Sequence, residues 1–236
     1  MARPPAPDDP GAPVDIPAGD RTIAGRWLAP PDARVVYALG HGAGAGMHHP
    51  FMIAMARALA ARGVATLRWE MPAMTAGKRL ADRPAVVRPL ARAACVHAAA
   101  LAPGLPLVAG GKSMGGRMTS EAHAAAPIPG LRGLAFLGFP LHPAGAPATQ
   151  RGDHLLGIDL PLLFVSGDRD ALATPALLDA LVARPGARAT RVTIVGGDHG
   201  LEVPRRAPPG GTADPIATAA EAIATWAGAL PARPVP

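Results

Sequence analysis

Six short apolar runs punctuate the chain: Arg34–Leu39 (RVVYAL), Ala65–Arg68 (ATLR), Leu105–Ala109 (LPLVA), Gly133–Leu137 (GLAFL), Leu160–Val165 (LPLLFV) and Thr190–Val195 (TRVTIV). They are continuous rather than alternating, as strands buried on both faces of a parallel sheet should be. Between them lie Ala-rich stretches of helical length at Pro50–Arg62, Arg83–Ala102, Gly116–Ala125, Ala171–Ala183 and Ala213–Leu230. Strand and helix in alternation predict an α/β fold, a three-layer sandwich with a mostly parallel sheet, right-handed crossovers and helices on both faces. Ahead of these, Val14–Leu28 (VDIPAGDRTIAGRWL) reads as two short strands around the turn at Gly19 and Asp20, an antiparallel edge. Two stretches break the pattern, Glu70–Asp82 and Phe139–Asp159. Both follow the C-terminal ends of predicted strands, the edge where open α/β sheets bind their ligands.

Composition narrows the picture. The 236 residues are 49% hydrophobic, enough for one sizeable core, and no internal repeat or linker interrupts residues 14–230. One domain is expected there, flanked by a loose Pro-rich tail over residues 1–13 and a short tail over residues 231–236. The first thirteen residues lack the apolar core of a signal peptide, and no apolar stretch of about 18 residues or more is free of Gly, Pro and charge. A transmembrane helix is therefore not expected. The single cysteine, Cys95, permits no internal disulfide, and a reducing cytoplasm is the simplest compartment. The net charge of +6 raises the question of nucleic acid, but the basic residues are 21 Arg and 2 Lys, scattered, with no run of four. Only eight aromatic residues, three Trp, one Tyr and four Phe, are present to stack on bases. Abundant Arg, Ala, Pro and Gly is what GC-rich coding produces without selection for binding. No His, Cys and carboxylate cluster has the spacing of a zinc site, so neither metal nor cofactor is expected.

The chemistry is read from residues 110–118, GGKSMGGRM, where Ser113 stands among Gly110, Gly111, Gly115 and Gly116. A phosphate-binding loop of the form G-x-x-x-x-G-K-[ST] would need glycine at position 106, which is Pro106, and the preceding LPLVAG reads as strand. The alternative, G-x-S-x-G, fits: a strand, a tight turn with small flanks, then the helix GRMTSEAHAAA. Such a turn lifts a serine hydroxyl clear of a sheet. A serine hydroxyl is a poor nucleophile without a base. Downstream, LFVSGDRDA (Leu163–Ala171) and TIVGGDHGL (Thr193–Leu201) each place acidic or imidazole groups just past a strand. His199 is the expected base, with an aspartate to hold its ring. Asp168 and Asp170 compete for that role; the turn form G-x-x-D favours Asp170, and Asp198 is expected to cap the turn. Backbone N–H groups must also face the developing oxyanion. Met114 follows the serine, and LGHGAGAGM (Leu39–Met47) follows an earlier strand, with Ala43 the expected second donor and Gly42 and Gly44 its rivals.

Other polar residues are candidates for the pocket rim. His41 is expected to orient the glycine-rich loop, and Gly42 to line it. Lys112 is expected to pair with an acid near the site rather than to act in catalysis. His142, Arg151 and His154, in the long loop, either contact a polar group of the substrate or tie the loop down. Arg68 and Glu70 are expected as a buried pair, Arg117 as a brace for a neighbouring loop, and His48 and His49 as the approach to a helix. His97, His123 and Cys95 fall in Ala-rich helices, where packing is the default.

Together these motifs resemble the α/β-hydrolases of the dienelactone-hydrolase-like kind, over roughly residues 20–230. More narrowly, the chain resembles bacterial relatives of the eukaryotic testis-expressed protein thirty and of subunit three of the NSL chromatin complex. The matching stretches are HGAGAGM (41–47), RWEMPAM (68–74), GGKSMGGRM (110–118), LGFPLHPAGAP (137–147), RGDHL (151–155), SGDRDAL (166–172) and GGDHGL (196–201). Trp69, Met71 and Ala73 stand where that pattern is more aromatic. The resemblance implies an α/β sandwich without a large cap, and a bacterial hydrolase. The expectation is a serine hydrolase of small or short-chain carboxylic esters, with Ser113, Asp170 and His199 catalytic. Thioesterase or acyltransferase activity through the same triad, and a non-catalytic interaction module like the eukaryotic relatives, are the alternatives.

Overall fold

The protein is described by a computed structural model covering residues 8–78, 81–184, 188–204, 206 and 210–231. The expected C-terminal tail beyond Pro231 and the first seven residues lie outside the described residues. The strands are β1 (Ala12–Ala18), β2 (Arg21–Leu28), β3 (Val35–Gly40), β4 (Val64–Trp69), β5 (Leu107–Lys112), β6 (Leu131–Leu137), β7 (Leu162–Gly167) and β8 (Ala189–Ile194). They form one sheet in the order β1-β2-β4-β3-β5-β6-β7-β8. β1 and β2 are the antiparallel hairpin read from the sequence, and β2 joins β4 antiparallel. All later pairings are parallel.

The helices are α1 (Pro50–Ala60), α2 (Pro72–Thr75), α3 (Pro84–Leu101), α4 (Met114–Ala125), α5 (Pro175–Ala183) and α6 (Pro215–Gly228). Proline opens five of them, all but α4, at the position where a missing N–H is harmless and the fixed φ suits the helix. α5 therefore starts at Pro175, later than the Ala171 expected, and leaves residues 171–174 as a turn. Within the two irregular stretches the structure adds the short α2 and a 3₁₀ segment at Gln150–Gly157.

Every residue of β3, β4 and β7 is buried, which explains their largely apolar character. Alternate side chains divide between two cores. Val36 and Ala38 face α3 and α4, with Phe136, Phe164 and Leu181. Val35, Tyr37 and Leu39 face α1 and α6, with Met55, Leu59 and Ile223. Parallel register aligns the strand ends: Gly40 pairs with Gly111, Lys112 with Leu137 and Gly167 with Ile194. The loops after β3, β5, β7 and β8 thus emerge on one edge, and among the described residues no large cap stands over it.

The first strand begins at Ala12, two residues ahead of the expected start, and the segment before it is anchored. The Asp9 carboxylate, fully buried, lies 2.6 Å from Arg68 Nη2 and 2.5 Å from His48 Nδ1. Arg68 also donates to the main-chain oxygens of Pro10 (2.7 Å) and Met47 (2.9 Å). Burial alone would raise the Asp9 carboxyl, but hydrogen bonds from Arg68 and His48 outweigh it and hold the group below the usual carboxylate value. Arg68 therefore pairs with Asp9, not with Glu70 as expected; Glu70 turns instead to His41.

Candidate active site

Ser113 joins β5 to α4 with φ 47° and ψ −114°, a left-handed conformation that a side chain rarely adopts. Strain of this kind amounts to about 1–3 kcal/mol and persists only where the surroundings enforce it. Here the enforcement is close packing: a Cβ on Gly115 would lie 2.4 Å from the carbonyl carbon of Gly40, so only glycine lets α4 rest on the end of β3. Ser113 N–H donates to Leu137 O (3.0 Å), fixing the turn to β6 as well. Met114 is the first helical residue, so its N–H has no acceptor inside the helix.

Ser113, Asp170 and His199 come together from three different loops. His199 Nε2 lies 2.9 Å from Ser113 Oγ. His199 Nδ1 lies 2.9 Å from both Asp170 oxygens. A carboxylate only accepts, so Nδ1 carries the ring proton and Nε2 is left to accept from the serine. Asp170 is 3% exposed, and its Oδ1 also accepts from Leu172 N–H at 2.8 Å. That bond comes from the turn that the late start of α5 leaves free. Asp168 has other work: its Oδ1 accepts from Gly196 N–H at 2.7 Å, tying the end of β7 to the turn after β8. Asp198 Oδ1 accepts from Glu202 N–H at 2.9 Å, within the turn it was expected to cap. The His199 loop passes directly over β7, because a Cβ on Gly167 would stand 2.0 Å from Gly197 O.

Around this line of three residues lie two supports. Lys112 Nζ donates to the main-chain oxygen of His199 at 2.5 Å and lies 5.9 Å from the centre of the Phe51 ring. Burial lowers its pKa to about 8, opposed by the charges of Asp170, Asp198 and Glu202. On the other side, the glycine-rich loop is held at both ends. His41, buried, has Nδ1 2.7 Å from Gly42 O and Nε2 3.0 Å from Met71 N and 2.8 Å from Glu70 Oε1. Glu70 in turn accepts from Met47 N–H at 3.2 Å. Between these ties Gly42 is buried and Ala43 exposed. A Cβ on Gly42 would lie 3.6 Å from Ser113 Cβ, so the loop runs beside the serine.

The three residues of the long loop have partners elsewhere. His142 is buried: Nε2 accepts from Thr174 N–H (3.0 Å) and Nδ1 lies 2.9 Å from Pro143 O. It clasps the loop to the turn that carries Asp170. His154 Nε2 lies 2.8 Å from Ser120 Oγ on α4. Arg151 and His154 line a separate cleft whose lining contains neither Ser113 nor His199. Sequence reasoning did not find the Lys112 bond to His199 or the Asp9 anchor behind the Met47 end of the loop. The adjacent Asp8 and Asp9 inside a proline-rich segment were the only signal for the latter. Among the described residues no three His, Cys, Asp or Glu side chains converge as metal ligands, and no helix is long and apolar enough to cross a membrane.

A serine on a strained strand–helix turn, with an aspartate and a histidine following on later strand ends of a mostly parallel sheet, defines the α/β-hydrolase class. The chain belongs to the alpha/beta hydrolase domain family, whose model matches residues 31–228. Its fold is similar to that of a dienelactone hydrolase from Anabaena variabilis (TM-score 0.73, 17% identity, 93% of this chain and 97% of that one). It is also similar to an α/β serine hydrolase without a lid from Xanthomonas campestris (TM-score 0.69, 21% identity, 98% of this chain and 100% of that one). A third similar structure is Est1E from Butyrivibrio proteoclasticus with ferulic acid bound (TM-score 0.71, 18% identity, 90% of this chain and 97% of that one).

Proposed function

We propose that this hydrolase cleaves carboxylic esters with small or short-chain acyl groups through an acyl-enzyme on Ser113. The observation that carries the reading is the position of His199, whose ring bridges Ser113 Oγ and the Asp170 carboxylate at 2.9 Å on each side. In the first step Ser113 Oγ attacks the ester carbonyl carbon and its proton passes to His199 Nε2. Asp170 keeps Nδ1 protonated and stabilises the imidazolium. The oxyanion accepts from the Met114 and Ala43 N–H groups. The C–O bond to the alcohol then breaks, and Nε2 returns its proton to the departing oxygen. Water, deprotonated by the same nitrogen, attacks the acyl carbon and releases the acid and the free serine.

Among the described residues no large cap stands over the edge to enclose a long chain, which supports small substrates. The lidless Xanthomonas protein and Est1E with its bound ferulic acid are consistent with acyl chemistry at such a site. We also infer that the chain stands among the bacterial relatives of testis-expressed protein thirty and NSL subunit three, on the strength of residues 137–147 and 151–155. Hydrolysis of p-nitrophenyl acetate, butyrate and octanoate by the wild type and Ser113→Ala tests the function. Wild-type rates should favour the shorter esters and fall about a thousandfold or more in the variant. Hydrolysis that persists in Ser113→Ala overturns the assignment.

A further inference from the structure

Three arginines from three different elements open onto one cleft of about 500 Å³ beside α4: Arg88 of α3, Arg117 of α4 and Arg151 of the 3₁₀ segment. Glu121, Gln150 and His154 complete its polar lining. Its lining residues carry three guanidinium charges and one carboxylate, a net charge of +2 (three minus one) with His154 neutral. Neither Arg88 nor Arg151 has a side-chain hydrogen bond or an ion pair among the described residues. Arg117 Nε is shut off from water without a hydrogen bond, and Glu121 Oε1 stands 3.6 Å away, too far for a close charge-assisted bond. Burial disfavours the Arg117 cation; the charge of Glu121 opposes this and that of Arg151 adds to it, and the net direction is downward. Like charges gathered in a partly buried cleft are unfavourable unless an anion joins them.

The cleft floor is fixed. Ser120 donates its hydroxyl proton to Arg117 O (2.9 Å), so Ser120 Oγ accepts from His154 Nε2–H (2.8 Å). The ring of His154 thus ties the 3₁₀ segment, and with it Arg151, to α4. Burial and the Arg117 charge push His154 down to about 4, so it adds no charge near neutral pH.

From this arrangement we propose that the cleft is a second site, separate from Ser113, that binds a phosphate group, either free or as the monoester of a small molecule. Phosphate carries a charge of about −1.5 to −2 at pH 7, which matches the cleft, whereas a single carboxylate leaves it half compensated. Guanidinium groups carried by three different elements suit a tetrahedral oxyanion, whose oxygens point in different directions.

The test is calorimetric titration of the full chain with inorganic phosphate, phenyl phosphate and acetate near pH 7.5. The wild type should bind phosphate saturably, at about millimolar concentration or tighter, and acetate at least about tenfold more weakly. Tighter binding of phenyl phosphate than of phosphate identifies a monoester ligand; the reverse order identifies the free ion. Arg88→Gln combined with Arg151→Gln should weaken phosphate binding about tenfold or more, and Arg88→Lys with Arg151→Lys should restore part of it. Ser113→Ala should bind phosphate as the wild type does, so failure here leaves the hydrolase reading standing. Absence of saturable binding, equal affinity for acetate, or affinity unchanged in a folded double Gln variant overturns the proposal.

Discussion

The side chain of Lys112 donates to the main-chain oxygen of His199 at 2.5 Å, so the residue before the proposed nucleophile holds the loop of the proposed base. Lys112 is a positioning residue in this account. Replacing it with Met, of similar length and without the donor, should lower kcat about tenfold with little change in KM. The fold should survive, because β5 and α4 are set by their own packing.

The same lysine gives a pH signature. Its pKa falls from the ordinary 10.5 to about 8 because burial disfavours the ammonium. Between about 8 and 10.5 the unfolded chain holds the extra proton, so this group makes stability rise with pH in that window. Cys95 acts in the opposite sense, since burial raises its thiol from 9.0 to about 12 and its contribution is lost as pH rises through that range. Urea unfolding of the wild type against Lys112→Met isolates the lysine, because both proteins keep Cys95. The wild type should gain on the variant from pH 8 to 10.5; a constant difference would refute the lysine's role.

Two aspartates close together in sequence have separable duties. Asp170 faces His199 Nδ1, whereas Asp168 accepts from Gly196 N–H. Asp170→Asn should reduce kcat by about three to four orders of magnitude, because an amide no longer enforces the tautomer. Asp168→Asn should cost stability of about 1–2 kcal/mol through the weakened turn and leave most of the rate. Steady-state kinetics and unfolding of both variants would show it, and the reverse ranking would assign the triad acid to Asp168.

Asp9 secures a buried cation. Its carboxylate compensates Arg68, which is fully buried and already has an unpartnered Nε. Asp9→Ala should destabilise the protein by about 3–5 kcal/mol at pH 7, since it leaves Arg68 uncompensated. The sign with pH follows from the lowered carboxyl: the pair's contribution is complete above the ordinary 3.8 and is lost as pH falls below it. The stability difference between wild type and variant should therefore be full at pH 7 and smaller at pH 3. Because Arg68 also holds Met47 O, the variant should lose activity by loosening the glycine-rich loop.

Burial predicts that Cys95 is inert. The thiol lies within α3, 1% exposed, and is raised to about 12. At pH 8 iodoacetamide should label it about a hundredfold more slowly in the native protein than in urea. Comparable rates would mean that α3 opens readily.

Much of this was readable in the residues. The strands were legible because two-sided burial leaves no alternation, and the helices because their Ala-rich runs lie between strands; the start of α5 at Pro175 was not, although proline opens it. The approach of Ser113, Asp170 and His199 followed from each standing just beyond a strand on a shared edge. The bond from Lys112 to His199 O was not legible, since its acceptor is a backbone oxygen 87 residues away that leaves no trace in side-chain identity. The pairing of Arg68 with Asp9 was missed because it spans 59 residues and joins a segment whose composition reads as tail. The arginine cleft draws on three elements, and only the packing of the 3₁₀ segment against α4 brings them together.

The central claim is that Ser113 is an activated nucleophile. Reaction with a fluorophosphonate probe, followed by peptide mass mapping, tests it without any choice of ester. A single adduct should appear on the peptide holding Ser113, vanish in Ser113→Ala and slow sharply in His199→Ala. No adduct, or one on another residue, would contradict the account.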